Sequence, residues 1–258
     1  MSEPNSLVIH LLNGDALKQR FPATINGEQL VMRECLIDGP STAKVGEKLF
    51  QQRAEYLKQY AVENTFPDYF SYVVPTFTKL ASVTSCDKIY CWFEHDLFCQ
   101  CNLWFCLNFL ATTSAKDIYL VTPNQGNEYS FANMSDNELT GALDKAVKLT
   151  VDEVQYFDQL WLAYAVKNYA DMTQFANALG ERFSFVQAAV NAELARTPDS
   201  KGLGKPERVL REIISELSAS SDNQTADFGA VFRKFSEQMG IYGFGDLQVK
   251  AMYEKVST

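Results

Sequence analysis

Positive charge is scarce in this sequence. Lys and Arg number 23 against 32 Asp and Glu, giving a net charge of −9 at pH 7 and a pI near 4.8. Nonspecific nucleic-acid binding is driven mainly by phosphate neutralisation, so the balance argues against a nucleic-acid partner and leaves room only for a local basic patch. Long hydrophobic runs are also missing. The most apolar stretch, residues 97–111, is interrupted by Gln100, Asn102 and Asn108, whereas a membrane span needs roughly 20 largely apolar residues. A buried helix is expected there, and no membrane association. Residues 1–6 are polar and the apolar run 7–12 is short and contains His10, which does not make a secretory leader.

Several named chemistries lack their signatures. No Gly-x-Gly-x-x-Gly follows the first apolar run and no Gly-x4-Gly-Lys-Ser/Thr occurs, so a standard dinucleotide fingerprint and a P-loop are disfavoured. There is no Gly-x-Ser-x-Gly elbow. The six cysteines fall within residues 35–106 without a Cys-x-x-Cys pair, which removes the usual zinc pattern. They read as reduced, small apolar core residues, and the chain as cytoplasmic.

What is present is ample core material. Hydrophobic residues make up 47% of the 258, charged residues 21%, with 18 Phe, 12 Tyr and 3 Trp, enough for one large domain or two small ones. Short apolar runs at residues 7–12, 29–35, 88–94 and 117–122 read as strands, each closed by turn or polar residues. Between them, helices are expected at 16–21, 45–62, from Phe66-Pro67 with a break at Pro75, and from Asp96 onward. Strands alternating with helices imply crossover connections and an open, mostly parallel, Rossmann-like three-layer sheet over residues 1–130. Beyond it the pattern is helical. Ser135-x-x-Glu138, Thr150-x-x-Glu153 and Asp171-x-x-Gln174 resemble capping boxes, and three further helices over 200–258 are reminiscent of a helix-turn-helix unit. There is no internal repeat.

In an open parallel sheet, ligands bind in the crevice beyond the carboxyl ends of the strands. The groups expected there are Asn13, Gly14 and Asp15 after the first strand, Arg33 and Glu34 (with Asp38 beyond) after the second, and Glu94, His95 and Asp96 after the third. His95 titrates near neutrality and suits acid or base work. Arg33 suits bidentate contact with phosphate or carboxylate. Asp15, Glu94 and Asp96 suit orientation of the histidine or ligation of a hard divalent metal. Each has a plainer role as well: Asp15 and Asp96 as helix N-caps, Asn13-Gly14 as a tight turn, Arg33 in an ion pair, His10 and His95 as hydrogen-bonded structural histidines.

Three segments read together resemble a known family. His10-Leu-Leu-Asn13-Gly14-Asp15, Arg33-Glu34 with Gly39-Pro40, and the run Trp92-Phe93-Glu94-His95-Asp96-Leu97-Phe98-Cys99-Gln100 are similar to the bacterial family called domain of unknown function 1835. The resemblance covers about the first half of the chain. Gly202-Leu203, Pro206-Glu207-Arg208 and Gly243-Phe-Gly245-Asp246 resemble its helical companion domain. Met32 stands where the family often has Trp, and Cys99 where it often has Asp, one acid fewer for a metal. The family implies a fold and a shared site, not a reaction.

Two functions fit. The first is an enzyme acting on a small anionic metabolite, phosphorylated or carboxylated, with nucleotide-like compounds among the candidates, by acid–base or metal-assisted hydrolysis or group transfer. Its catalytic candidates are His95, Asp15, Asp96 and Glu94, and its substrate contacts Asn13, Gly14, Arg33, Glu34 and Gln100. The second is a ligand-sensing or protein-interaction module with the helical half as output.

Overall fold

The computed structural model describes residues 6–60, 68–219 and 226–257. The expected helix start at Phe66-Pro67, and the end of the 45–62 helix at Val62, lie outside them.

The chain opens with β1 (Val8–Asn13), α1 (Asp15–Arg20) and β2 (Glu28–Met32). Then come α2 (Glu47–Leu57), α3 (Tyr69–Tyr72) and α4 (Val74–Ala81). Pro75 divides α3 from α4 by sitting in the first turn of the latter, where a missing N–H costs nothing. Next are β3 (Lys88–Trp92), α5 (Leu97–Ala111) and β4 (Asp117–Val121). Helix α6 (Asp136–Asp144) leads to a two-residue strand, β5 (Val147–Lys148). The remainder is helical: α7 (Val151–Ala165), α8 (Tyr169–Ala178), α9 (Ser184–Ala195), α10 (Lys205–Ala219), α11 (Phe228–Met239) and α12 (Asp246–Ser257).

The sheet runs β2-β1-β3-β4-β5, the first four strands parallel and β5 antiparallel to β4. β5 is too short to carry a strand pattern and was not expected from the sequence. Side chains alternate across the sheet, as a period of two requires. Ile9 and Leu11 of β1, Ile89 and Cys91 of β3, and Ile118 and Leu120 of β4 enter the larger core. Leu12, Trp92 and Val121 enter a smaller one against α1 and α6, with Leu17, Leu139 and Ala142. Both faces are therefore covered.

His10 sits on the smaller face. It accepts from the Trp92 indole at Nδ1 (3.1 Å), so Nε2 carries the proton and donates to the Asn26 carbonyl (3.2 Å). Burial holds its pKa below the usual histidine range. It is a neutral structural histidine.

Helix α5 is buried nearly all round, with twelve of its 15 residues buried, Gln100, Asn102 and Asn108 among them. One side packs on the sheet. Another receives α7: Phe105 meets Trp161 edge-on at 4.9 Å, and Trp104 meets Tyr164 at 5.7 Å. The larger core thus joins residues on both sides of position 130. A separate cluster of Leu210, Ile213, Val231, Phe235 and Val249 holds α10, α11 and α12 together. The capping boxes at Ser135 and Thr150 form, but Asp171 lies inside the first turn of α8, which Asn168 caps. Among the described residues no helix is long and apolar enough to cross a membrane.

Candidate functional site

Strands β1 and β3 lie side by side, Leu12 opposite Trp92, and β2 lies on the far side of β1. The chain thus proceeds in opposite directions from β1, and the crevice at that switch is where α/β sheets take ligands.

Asn13 closes β1 and its amide spans the crevice. Its Nδ2 donates to Cys99 Sγ (2.9 Å), while its Oδ1 accepts from Asn102 Nδ2 (2.9 Å). Asn102 also donates to the Glu34 carbonyl (2.8 Å) and accepts from the Leu36 N–H (3.2 Å), so one amide fixes the ends of β1 and β2 together. Cys99 Sγ in turn donates to Glu94 Oε2 (3.1 Å). Glu94 accepts weakly from the Phe131 N–H at its other oxygen (3.4 Å). Burial, then the nearby Asp96 charge, raises the Glu94 pKa to about 7. A carboxyl poised there exchanges a proton at neutral pH. The Cys99 thiol is pushed far up, by burial first and then by the two acids, so it stays protonated and acts as a donor.

Asp96 is the N-cap of α5, accepting from the Cys99 N–H (2.9 Å). It is 2% exposed, and burial raises its pKa to about 6. It is covered by Gly243, in the turn before α12: a Cβ there would come within 2.0 Å of its Oδ1. Gly243 has φ +64°, a second reason for glycine at this position.

Asp15 and Arg33 form a closed pair. Arg33 Nε and Nη2 donate to the two Asp15 oxygens, each at 2.8 Å, and Nη1 reaches the Tyr72 carbonyl (3.3 Å). Tyr72 donates its hydroxyl to Asp15 (2.6 Å), and its ring lies under the guanidinium at 4.2 Å. Hydrogen bonding from Arg33 holds the Asp15 carboxyl below its ordinary range. The bidentate edge of Arg33 expected for a ligand is therefore already taken by Asp15. Three of its five N–H groups are engaged, leaving two for a ligand.

Glu34 is not a substrate contact. Its side chain is 1% exposed and paired with Arg53, which donates from Nη2 (2.7 Å) and Nε (3.0 Å). Tyr69 donates to its other oxygen. Arg53 also caps the carbonyls of Cys35 and Asp38, so the pair locks the 34–40 loop onto α2. Gln100 is fully buried and donates to the Glu94 carbonyl (2.8 Å); it shapes the turn that carries Glu94 rather than meeting solvent. Gly14 takes φ +88° and donates its N–H to the Met32 carbonyl (3.0 Å), extending the β1–β2 ladder.

His95 is turned toward the helical half. Its ring stacks on Phe185 of α9, centroids 4.2 Å apart at 6°. Its Nε2 is buried without a partner, and burial lowers its pKa. The expected support from Asp15 and Asp96 is not there, since Asp15 faces Arg33 and Asp96 faces the α5 backbone. Nor do the acids converge for a divalent metal: among the described residues, no three His, Cys, Asp or Glu side chains are grouped so as to hold one.

Sequence reasoning missed Cys99, Asn102 and Tyr72. The first two were within reach, because Asp96, Cys99 and Asn102 recur every three residues and share a helix face. Nothing local in the sequence joins Tyr72 to Asp15, 57 positions away.

The fold defines an α/β protein built on a five-stranded, mostly parallel sheet. Its sequence matches no protein-family model and no curated protein.

Proposed function

We propose that this chain is a Rossmann-like, small-molecule enzyme, akin to the domain of unknown function 1835 family, that takes a small anionic metabolite at the β1–β3 crevice. The chemistry is acid–base hydrolysis or group transfer, with Glu94 as the proton carrier in place of His95. One observation supports this above the others: a carboxyl with a pKa near 7 stands at the switch between β1 and β3, tied through Cys99 to Asn13. Structural carboxylates that only pair with arginine move the other way, as Asp15 does. In this proposal the two remaining Arg33 N–H groups meet the anionic group, and Asn13 sets the register of the ligand.

The test is a thermal-shift screen against nucleotides, sugar phosphates and carboxylates, followed by turnover assays on each hit. A ligand at 100 times its Kd stabilises by about 2.7 kcal/mol. Glu94→Gln should retain binding and lose turnover by at least about 100-fold, the usual range for a general acid or base. Arg33→Ala should weaken binding. Turnover unchanged in Glu94→Gln overturns the proposal.

A second function, ligand sensing, is favoured by the seating of Asp96 against Gly243, which connects the crevice to the α10–α12 unit. It requires a ligand that alters hydrogen exchange in α12 without being consumed.

A further inference from the structure

The hydrogen bonds across the β1–β3 crevice form a chain that begins on two backbone groups, and backbone groups have no choice of role. The Leu36 N–H can only donate, so the atom of Asn102 that meets it (3.2 Å) is the carbonyl oxygen. The Glu34 carbonyl can only accept, so it takes the Asn102 amide nitrogen (2.8 Å). That nitrogen also donates to Asn13 (2.9 Å), which must answer with its own oxygen. Asn13 is thereby left with its nitrogen toward Cys99 Sγ (2.9 Å).

An amide nitrogen has hydrogens to give and no lone pair to offer, and a thiol has a single hydrogen. Cys99 therefore accepts from Asn13 and sends its S–H the other way, to Glu94 Oε2 (3.1 Å). The other acid beside it is Asp96, whose Oδ1 already receives the Cys99 N–H (2.9 Å). No link in the chain can be reversed without turning two donors on each other.

This direction separates the two oxygens of Glu94. Oε2 always faces a donor. Oε1 has only the long contact with the Phe131 N–H (3.4 Å). In a neutral carboxyl the carbonyl oxygen is the better acceptor, so a proton on Glu94 belongs on Oε1. The groups around this carboxyl are Cys99 and Asp96 from α5 and the Phe131 N–H; the adjacent His95 ring turns away onto Phe185. A thiol so placed is a donor and not a nucleophile, in keeping with the upward push that burial and the two acids give it.

We infer that Cys99 is a positioning residue: its thiol, aimed in one direction by the Asn102 and Asn13 amides, keeps Glu94 Oε2 as an acceptor and leaves Oε1 to carry the exchanging proton. The catalytic meaning of this rests on Glu94 being the proton carrier; the direction of the chain does not.

The experiment is infrared spectroscopy of the full chain from about pH 5 to 9, following the S–H stretch. Cys99→Ser identifies the Cys99 band by its loss. That band should move to lower frequency as Glu94 ionises, because a carboxylate is the stronger acceptor. The movement should vanish in Glu94→Gln and persist in Asp96→Asn. By carboxyl carbon NMR, Cys99→Ala should raise the Glu94 midpoint by about half a unit to one unit, since the anion loses a donor. Cys99→Ser should return it toward the parent value. With the nucleotide, sugar phosphate or carboxylate that is turned over, the kcat–pH profile of Cys99→Ala should move by the same amount with turnover retained. A Cys99 band indifferent to pH overturns the inference, as does one whose movement survives Glu94→Gln and vanishes in Asp96→Asn. Turnover abolished in both Cys99 variants with the Glu94 midpoint unmoved would make the thiol a nucleophile and overturn it as well. Turnover intact in Glu94→Gln strikes the proton-carrier reading, whereas an unmoved band strikes the direction of the chain, so the two failures are told apart.

Discussion

At the scale of single residues, burial decides what the crevice acids can do. Glu94 and Asp96 are both raised, to about 7 and about 6, chiefly by desolvation, and the Asp96 charge adds to the rise at Glu94. A carboxyl whose folded pKa exceeds its unfolded value holds its proton longer when folded. Its contribution to stability is therefore complete below about pH 4 and is lost as pH rises toward 7. Glu94→Gln should flatten that decline, gaining on the parent between pH 4.5 and 8 by up to about 3 kcal/mol, read from urea unfolding at each pH. Asp96→Asn keeps a cap-forming side chain but removes the charge, so the Glu94 carboxyl carbon should titrate at lower pH by NMR. An unchanged midpoint would mean that desolvation alone sets it. The candidate acids were legible in the sequence because polar residues cluster just after apolar runs. Their partners were not: the Asp15–Arg33 bond and the Glu34–Arg53 bond each join residues whose proximity exists only after folding, and those bonds occupy the Glu34 carboxylate and the bidentate edge of Arg33.

At the scale of elements, local signals carried well where capping chemistry or side-chain alternation was involved. Asp96, Ser135 and Thr150 cap the helices they precede, and β1, β3 and β4 fall within a residue or two of the apolar runs. β2 stops at Met32, short of the expected Cys35, because Glu34 turns inward to meet Arg53 and the chain must leave the ladder. The α5 N-terminus depends on a residue 147 positions later. Gly243→Ala forces a left-handed conformation on a residue with a side chain and drives its Cβ into Asp96, with a loss of the cap as the result. We expect about 2–3 kcal/mol of destabilisation from strain and cap together, measured by urea denaturation. Gly202→Ala serves as the comparison: φ is +75° but the space is open, so only the backbone strain, about 1–2 kcal/mol, should register. Equal losses in the two variants would show that the Asp96 contact contributes nothing.

At the scale of the whole molecule, the change from alternating strands to helices near residue 130 is plain in the sequence, yet the larger core ignores it. The reason lies in α5. Its apolar residues are spread round the helix without a preferred face, so periodicity could not reveal that α7 covers what the sheet leaves open. A fragment of residues 1–130 should accordingly bind a hydrophobic dye, lack near-ultraviolet circular dichroism and melt without a cooperative transition. A sharp transition in that fragment would make the first half self-sufficient.

The cysteines mark the same architecture chemically. Cys86 is exposed and Cys35 partly so, whereas Cys91, Cys99, Cys101 and Cys106 are enclosed. The last three belong to the one helix gripped from both sides. An alkylating reagent that reaches Cys101 or Cys106 has waited for the layers around α5 to part, so the order in which these thiols acquire label is a clock for how the molecule comes open.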